Sequence, residues 1–324
     1  MGANDGLIFM YLITPTSIIL NIMVIVTLRK GFKNEPTNVR FTLLNSLSIS
    51  ELFVSVVGFS LQTFFKTHDA CIVAGHVVAC FSLVSLTHMV SLTVERFLAV
   101  KYPFKSEDWL ISRKVIVAFL VPTWLYGFVW GSLFNMIGWG AIIYESKETH
   151  RCSIDFISTD PIRKSYVYCL LVFCYIIPII TTISFFLIIK RELHKMRQFI
   201  ADNLGEDSKI SKDTVKEEKR FSILVAVMLV CFLISWTPYA ISVFYWKIKG
   251  NIKDTVFFDM CAYFGKTSSL WNPIIYFFVY KKFRTAFLRW CPFTRNWVQR
   301  IEPTHEQKAT GHSQPLKDIT NTNF

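Results

Sequence analysis

Residues 265–276 read GKTSSLWNPIIY. Lys266 is the only cation in an apolar run from Val256 to Val279. A run of that length crosses a bilayer as a helix, which takes about 20 residues. A charged side chain at mid-membrane costs on the order of 3 kcal/mol on insertion scales. Lys266 therefore needs a partner or a use. Pro273 lies in the same run and removes a backbone donor, so the helix is expected to be distorted there.

Working outward, seven such runs occur: Leu7–Leu28, Phe41–Phe65, Cys71–Val94, Val115–Trp139, Tyr166–Ile189, Phe221–Trp246 and Val256–Val279. Their periodicity is helical, and the short alternating segments of a membrane barrel are missing. The 324-residue chain is 52% hydrophobic and only 18% charged, where soluble domains carry about 25% charge. The fold class is an all-α membrane protein: a seven-helix transmembrane bundle over 7–279, preceded by an extracellular segment 1–6. An amphipathic eighth helix follows over 280–291, with Phe283, Phe287, Trp290 and Cys291 on one face. The polar remainder, 292–324, is expected to be a disordered cytoplasmic tail.

The formal net charge is +12. With the N-terminus outside, 25 of the 35 Lys and Arg residues fall in cytoplasmic loops and tail, 8 fall outside, and Arg96 and Lys266 lie within helices. The positive-inside rule thus sets the N-terminus outside and the C-terminus in the cytoplasm. Orientation and attraction to anionic lipid account for the basic excess. Nucleic acid is not implied as a partner.

Of eight cysteines, Cys80, Cys169, Cys174, Cys231 and Cys261 fall inside spans and pack as small apolar residues. Cys71 and Cys152 both fall on the oxidising side, where a disulfide between them is allowed. Cys291 is either an acylation site or a free thiol. No CxxC or HxxxH spacing occurs, so no metal is expected.

Polar groups inside the spans carry the remaining signal. Asn21, Glu51 and Asn272 fall in the first, second and seventh spans. They join either through water or an ion, or as a hydrogen-bonded knot between helices. Glu95 and Arg96 close the third span, and Glu218 opens the sixth at the same depth. An Arg96 that chooses between these two acids would act as a switch. Pro178 and Pro238 kink the fifth and sixth helices.

Asn21, Glu51, Cys71, Glu95-Arg96-Phe97, Trp124, Pro178, Trp236-Thr237-Pro238 and Asn272-Pro273-x-x-Tyr276 come in order, one set per helix. This pattern resembles the signature of rhodopsin-like (class A) G-protein-coupled receptors over about residues 15–290. Glu51 replaces the usual Asp and Phe97 the usual Tyr. Phe186 stands where the fifth helix often has Tyr, which would deprive Tyr276 of its partner.

Lys266 precedes Asn272-Pro273 by six residues. In opsins that position carries the lysine that binds retinal as a Schiff base, so the chain resembles an opsin, and its variant motifs resemble those of invertebrate, cnidarian-type members. The resemblance implies covalently bound retinal, 11-cis or all-trans, on Lys266. Trp236, Tyr239, Ala74, Val78 and Ala262 would form its pocket. It also implies a heterotrimeric G protein as partner, with arrestin and a receptor kinase acting on the tail, at the plasma membrane. The chemistry agrees: apolar surroundings favour the uncharged, nucleophilic form of an amine, which condenses with an aldehyde.

A cationic nitrogen in an apolar pocket needs an anion. The position three residues after Cys71, acidic in many visual opsins, is Ala74. Gln62 in the second span lies near the pocket but is no acid. Three outcomes stay open: Glu145 or Asp259 as counterion, chloride near His76, or an uncharged nitrogen absorbing in the ultraviolet. Asp155 matches a residue tied up structurally. Two further functions fit the same signature: a retinal photoisomerase, or a lipid or peptide receptor in which Lys266 binds an acidic group. An amine receptor is disfavoured, because Val78 stands where those carry Asp. An enzyme is not expected, since no acid or base converges on Lys266.

Overall fold

The computed structural model describes residues 3–33, 36–65, 67–146, 151–156, 158–204, 209–249 and 255–291. The expected disordered tail, 292–324, lies outside the described residues. Six helices are long and apolar enough to cross a membrane. The first is Ala3–Gly31, the second Val39–Phe64, the third His68–Lys101 and the fourth Arg113–Met136. The fifth crosses over Pro161–Met196 and its helix continues to Leu204, and the sixth is Lys209–Lys249. The seventh comes in two 12-residue pieces, Thr255–Lys266 and Ser268–Val279. Neither piece reaches across the apolar layer, but end to end they extend about 36 Å at 1.5 Å per residue.

Two boundaries differ from the sequence expectation. The first helix starts at Ala3, so residues 3–6 belong to it and not to an extracellular segment. The second helix starts at Val39, because Asn38 caps it by accepting from Phe41 N at 2.9 Å. Arg40 is thereby drawn from the loop into the span.

The third span is the hub and packs against the second, fourth, fifth and sixth. The helices bury small polar groups inward: Ser17, Ser50, Ser55 and Ser85 are fully buried, and Ser17 bonds Ser55 while Ser50 bonds Ser85. Large apolar side chains such as Leu12, Ile180 and Phe278 stay exposed on the outside. The outer face is thus apolar where a water-soluble bundle would expose polar groups, while small polar residues join the apolar ones at the helix interfaces.

On the outer side, β1 (Ile142–Ser146) pairs antiparallel with β2 (Arg151–Ile154), with Tyr144 opposite Cys152 and an irregularity between Tyr144 and Ser146. Cys152 forms a disulfide with Cys71, Cα atoms 5.5 Å apart, which ties β2 to the third span. Asp155 accepts from Arg163 Nη1 and Ser158 N, both at 2.9 Å, and is a structural residue as expected. On the inner side the amphipathic helix is Lys281–Trp290. It docks by burying Phe283 and Ala286, and Trp290 Nε1 donates to Thr27 Oγ1 at 2.9 Å. Cys291 follows as a half-buried free thiol.

Gly131 lets the fourth span reach the third. A Cβ there would overlap the Cα and N of Cys80, backbone atoms that cannot swing aside. Gly131→Val should therefore lower stability by about 1–3 kcal/mol. Thermal unfolding in detergent checks this, with the midpoint expected to fall below that of the parent chain.

Candidate functional site

Beneath the β1–β2 hairpin the bundle encloses a cavity of about 200 Å³. Val78 and Leu86 line it from the third span, Tyr175 from the fifth, Trp236 and Tyr239 from the sixth, and Ala262 and Lys266 from the seventh. Arg151, Cys152 and Ile154 of β2 form its outer wall. The lining is overwhelmingly apolar and aromatic, with a few polar groups, as ligand cavities are.

Lys266 ends the outer half of the seventh span and is 6% exposed. Its Nζ donates to Gln62 Oε1 at 2.6 Å. It also lies 5.4 Å from the centroids of Phe59 and of Tyr263, within range for attraction to ring faces. A π-turn at Val54–Phe59 inserts an extra residue into the second helix and re-aims the residues beyond it. Gln62 then donates through Nε2 to the carbonyl of Cys152 at 3.3 Å. A chain of contacts thus runs from Lys266 through Gln62 to the disulfide-anchored loop.

Local sequence explains the break after Lys266. Pro273 has no N–H, so the carbonyl of Ser269 loses its helical partner. Asn21 Nδ2 from the first span donates to that carbonyl at 3.1 Å. Ser269 Oγ in turn donates to the Lys266 carbonyl at 3.1 Å. Gly265 admits the Trp236 ring beside the break: a Cβ there would come within 3.1 Å of Trp236 Cε3. Trp236 Nε1 donates to Ser268 Oγ at 3.2 Å, joining the sixth span to the inner half of the seventh.

The expected pocket residues separate cleanly. Trp236, Tyr239, Val78 and Ala262 line the cavity with Lys266. Ala74 is fully buried one turn before Val78 but does not line it. His76 and Asp259 do not line it either. The His76 carbonyl accepts from Ser132 Oγ of the fourth span at 3.4 Å, and Asp259 accepts from Arg151 Nη2 at 2.5 Å. Glu145 sits at the irregularity of β1, and its side chain lies outside the described residues. In the polar core, Asn272 Nδ2 donates to Glu51 Oε1 at 3.5 Å, while Asn21 bonds Ser17 and Ser269 instead. The three residues therefore form two linked knots and not one cluster.

At the inner end Arg96 bonds both Glu95 and Glu218 in this conformation. Arg40 joins them, with Nη2 3.2 Å from Glu218 Oε1 and Nε 3.6 Å from Glu95 Oε1. Both guanidinium groups pack on Phe221, at 4.5 Å for Arg40 and 4.6 Å for Arg96. Sequence reading missed Arg40 because it placed that residue one position outside the span; the signal was Asn38, a capping residue two positions earlier. Tyr276 is buried, and its hydroxyl has no hydrogen-bond partner among the described residues, as the Phe186 variant implies.

The family model for the seven-transmembrane receptors of the rhodopsin family matches residues 20–276. The chain belongs to that family. It is a family of multi-pass membrane receptors, not of catalysts. Parapinopsin of Ictalurus punctatus is 29% identical over 286 residues, 86% of this chain and 79% of that protein. Vertebrate ancient opsin of Salmo salar is 27% identical over 293 residues, 87% of this chain and 84% of that one. The GQ-coupled rhodopsin of Mizuhopecten yessoensis is 27% identical over 261 residues, 76% of this chain and 52% of its own length. The crystal structure of squid rhodopsin superposes with a TM-score of 0.78 at 22% identity, covering 97% of this chain and 92% of that one, a match in fold.

Arg40 adds a second hold on the sixth span. Removing it in Arg40→Ala should cost about 1 kcal/mol, a roughly five-fold rise in local opening. Hydrogen-exchange mass spectrometry over residues 217–224 checks this, with faster exchange expected there and no change in the 120–130 segment.

Proposed function

We propose that this chain is a light-activated receptor of the plasma membrane that carries retinal on Lys266 and signals to a heterotrimeric G protein. The observation that carries the proposal is a primary amine, nearly excluded from solvent, at the wall of a largely apolar cavity lined by Tyr175, Trp236 and Tyr239. Few uses other than covalent attachment repay burying an amine there. Joined to Lys266 as a Schiff base, retinal would supply light absorption and a light-driven change of shape.

The chain's own residues supply the rest. Val78, Tyr239 and Ala262 bound the chamber, and β2 closes it against water. Trp236 is the mobile wall: any displacement of its indole strains its bond to Ser268 and loads the helix just before Pro238. Pro238 lets the sixth helix bend there. For its inner end to swing out, Glu218 must leave both Arg96 and Arg40. The response is a shift between two packings of the same bundle. The orientation with the N-terminus outside puts this ion cluster in the cytoplasm, where a G protein binds.

A photoisomerase on the same fold would need Lys266 but no inner ion cluster, and that cluster is fully built. A lipid or peptide receptor would use the Lys266 amine as an ion partner, with no bond to break. Protein expressed in cultured cells and incubated in the dark with 11-cis retinal should gain an absorption band beyond that of free protein. Illumination should change a second messenger, and Lys266→Ala should lose band and signal together. A band and signal that persist in Lys266→Ala would overturn the proposal.

A further inference from the structure

Gln62 is 6% exposed and makes a hydrogen bond through each end of its amide. Its Oε1 accepts from Lys266 Nζ at 2.6 Å, and its Nε2 donates to the Cys152 carbonyl at 3.3 Å. The second bond fixes which end faces Lys266: with the carbonyl oxygen as partner on one side, only the NH2 end can face it. The disulfide to Cys71 holds that carbonyl in place. The amide oxygen is therefore aimed at the lysine nitrogen by a rigid element outside the second helix.

From this geometry we infer that Gln62 is a positioning residue for the chromophore: it accepts the N–H of the Lys266 nitrogen and sets how readily that nitrogen keeps its proton. The inference rests on retinal attachment at Lys266. In that attachment the nitrogen bonds to the aldehyde carbon, and the aldehyde oxygen leaves as water with two of the three ammonium protons. One N–H remains. Gln62 Oε1 already occupies the acceptor position for it.

An amide oxygen stabilises a cationic N–H through its dipole, less than a carboxylate would and more than a hydrocarbon would. Other groups pack on the amine, line the cavity or lie on the strands above it. Phe59 comes from the second span and Tyr263 from the seventh. Tyr175 comes from the fifth, Tyr239 from the sixth, and Arg151, bonded to Asp259, from β2. Glu145 lies on β1. All of these are unchanged when residue 62 alone is varied, so a comparison at that position isolates its contribution.

The test is a spectral titration of retinal-reconstituted wild type, Gln62→Glu and Gln62→Leu from pH 5 to 9. The pH at which the longer-wavelength band gives way to the near-ultraviolet band should be highest for Gln62→Glu and lowest for Gln62→Leu. The outer two should differ by about two pH units, a 100-fold change in proton concentration. If Gln62→Leu forms no pigment, Gln62→Glu against wild type decides the order alone. Retinal-free protein gives a second reading: reductive methylation of Lys266 by formaldehyde, followed by peptide mass, should begin at lower pH in Gln62→Leu. Coincident titration curves in proteins that all form pigment would overturn the role of Gln62. A wild type that forms no pigment would instead remove retinal attachment, and this inference with it.

Discussion

Taking the Lys266 amine out of water costs several kcal/mol if it is charged. The hydrogen bond to Gln62 offsets about 1.5–3 kcal/mol of that, and two ring faces about 1 kcal/mol each. Cost and compensation are of similar size, so these contacts make burial of the amine tolerable. Asp259, one acid on the same half-helix, is engaged by Arg151. The lysine thus stands at the wall of a chamber that is largely apolar, with Gln62 and Arg151 among its few polar groups.

The same half-turn that places the amine also links the two ends of the bundle. Pro273 frees the Ser269 carbonyl, Asn21 satisfies it, and the helix restarts at Ser268 with a hydroxyl aimed at Trp236. Toward the inside, Asn272 reaches Glu51. Beyond it, Arg96 and Arg40 grip Glu218 across the face of Phe221. Each contact joins different helices, so inter-helix bonds run from the cavity to the inner ion cluster and can couple a shift of the sixth helix to it. Coupling of this kind needs two discrete packings, and buried ion pairs that are either made or broken supply them.

Much of this was legible in the sequence because membrane solvent writes large signals. Runs of about 20 apolar residues announce spans, and Lys266, Glu51 and Arg96 stand out because ions are rare within them. Pro273 announced the distortion of the seventh span, and the side of the membrane each occupies allowed the pairing of Cys71 with Cys152. What sequence could not reveal depends on rotation about helix axes. The π-turn at Val54–Phe59 changes which face Gln62 presents, and no residue type marks it. Ala74 and His76 were pocket neighbours by the family resemblance, yet neither lines the cavity. Arg40, a further member of the ion cluster with Glu95 and Glu218, was hidden by a boundary error of one residue.

Covalent capture at residue 266 is most directly measured by peptide mass. The purified protein is incubated with retinal in the dark, reduced with borohydride, digested, and its peptides weighed. The peptide containing Lys266 should gain the mass of a reduced retinyl group, and no other lysine peptide should gain it to a comparable extent. An unmodified Lys266 peptide from protein that has taken up retinal would contradict the covalent link and leave a rhodopsin-family receptor with a different stimulus.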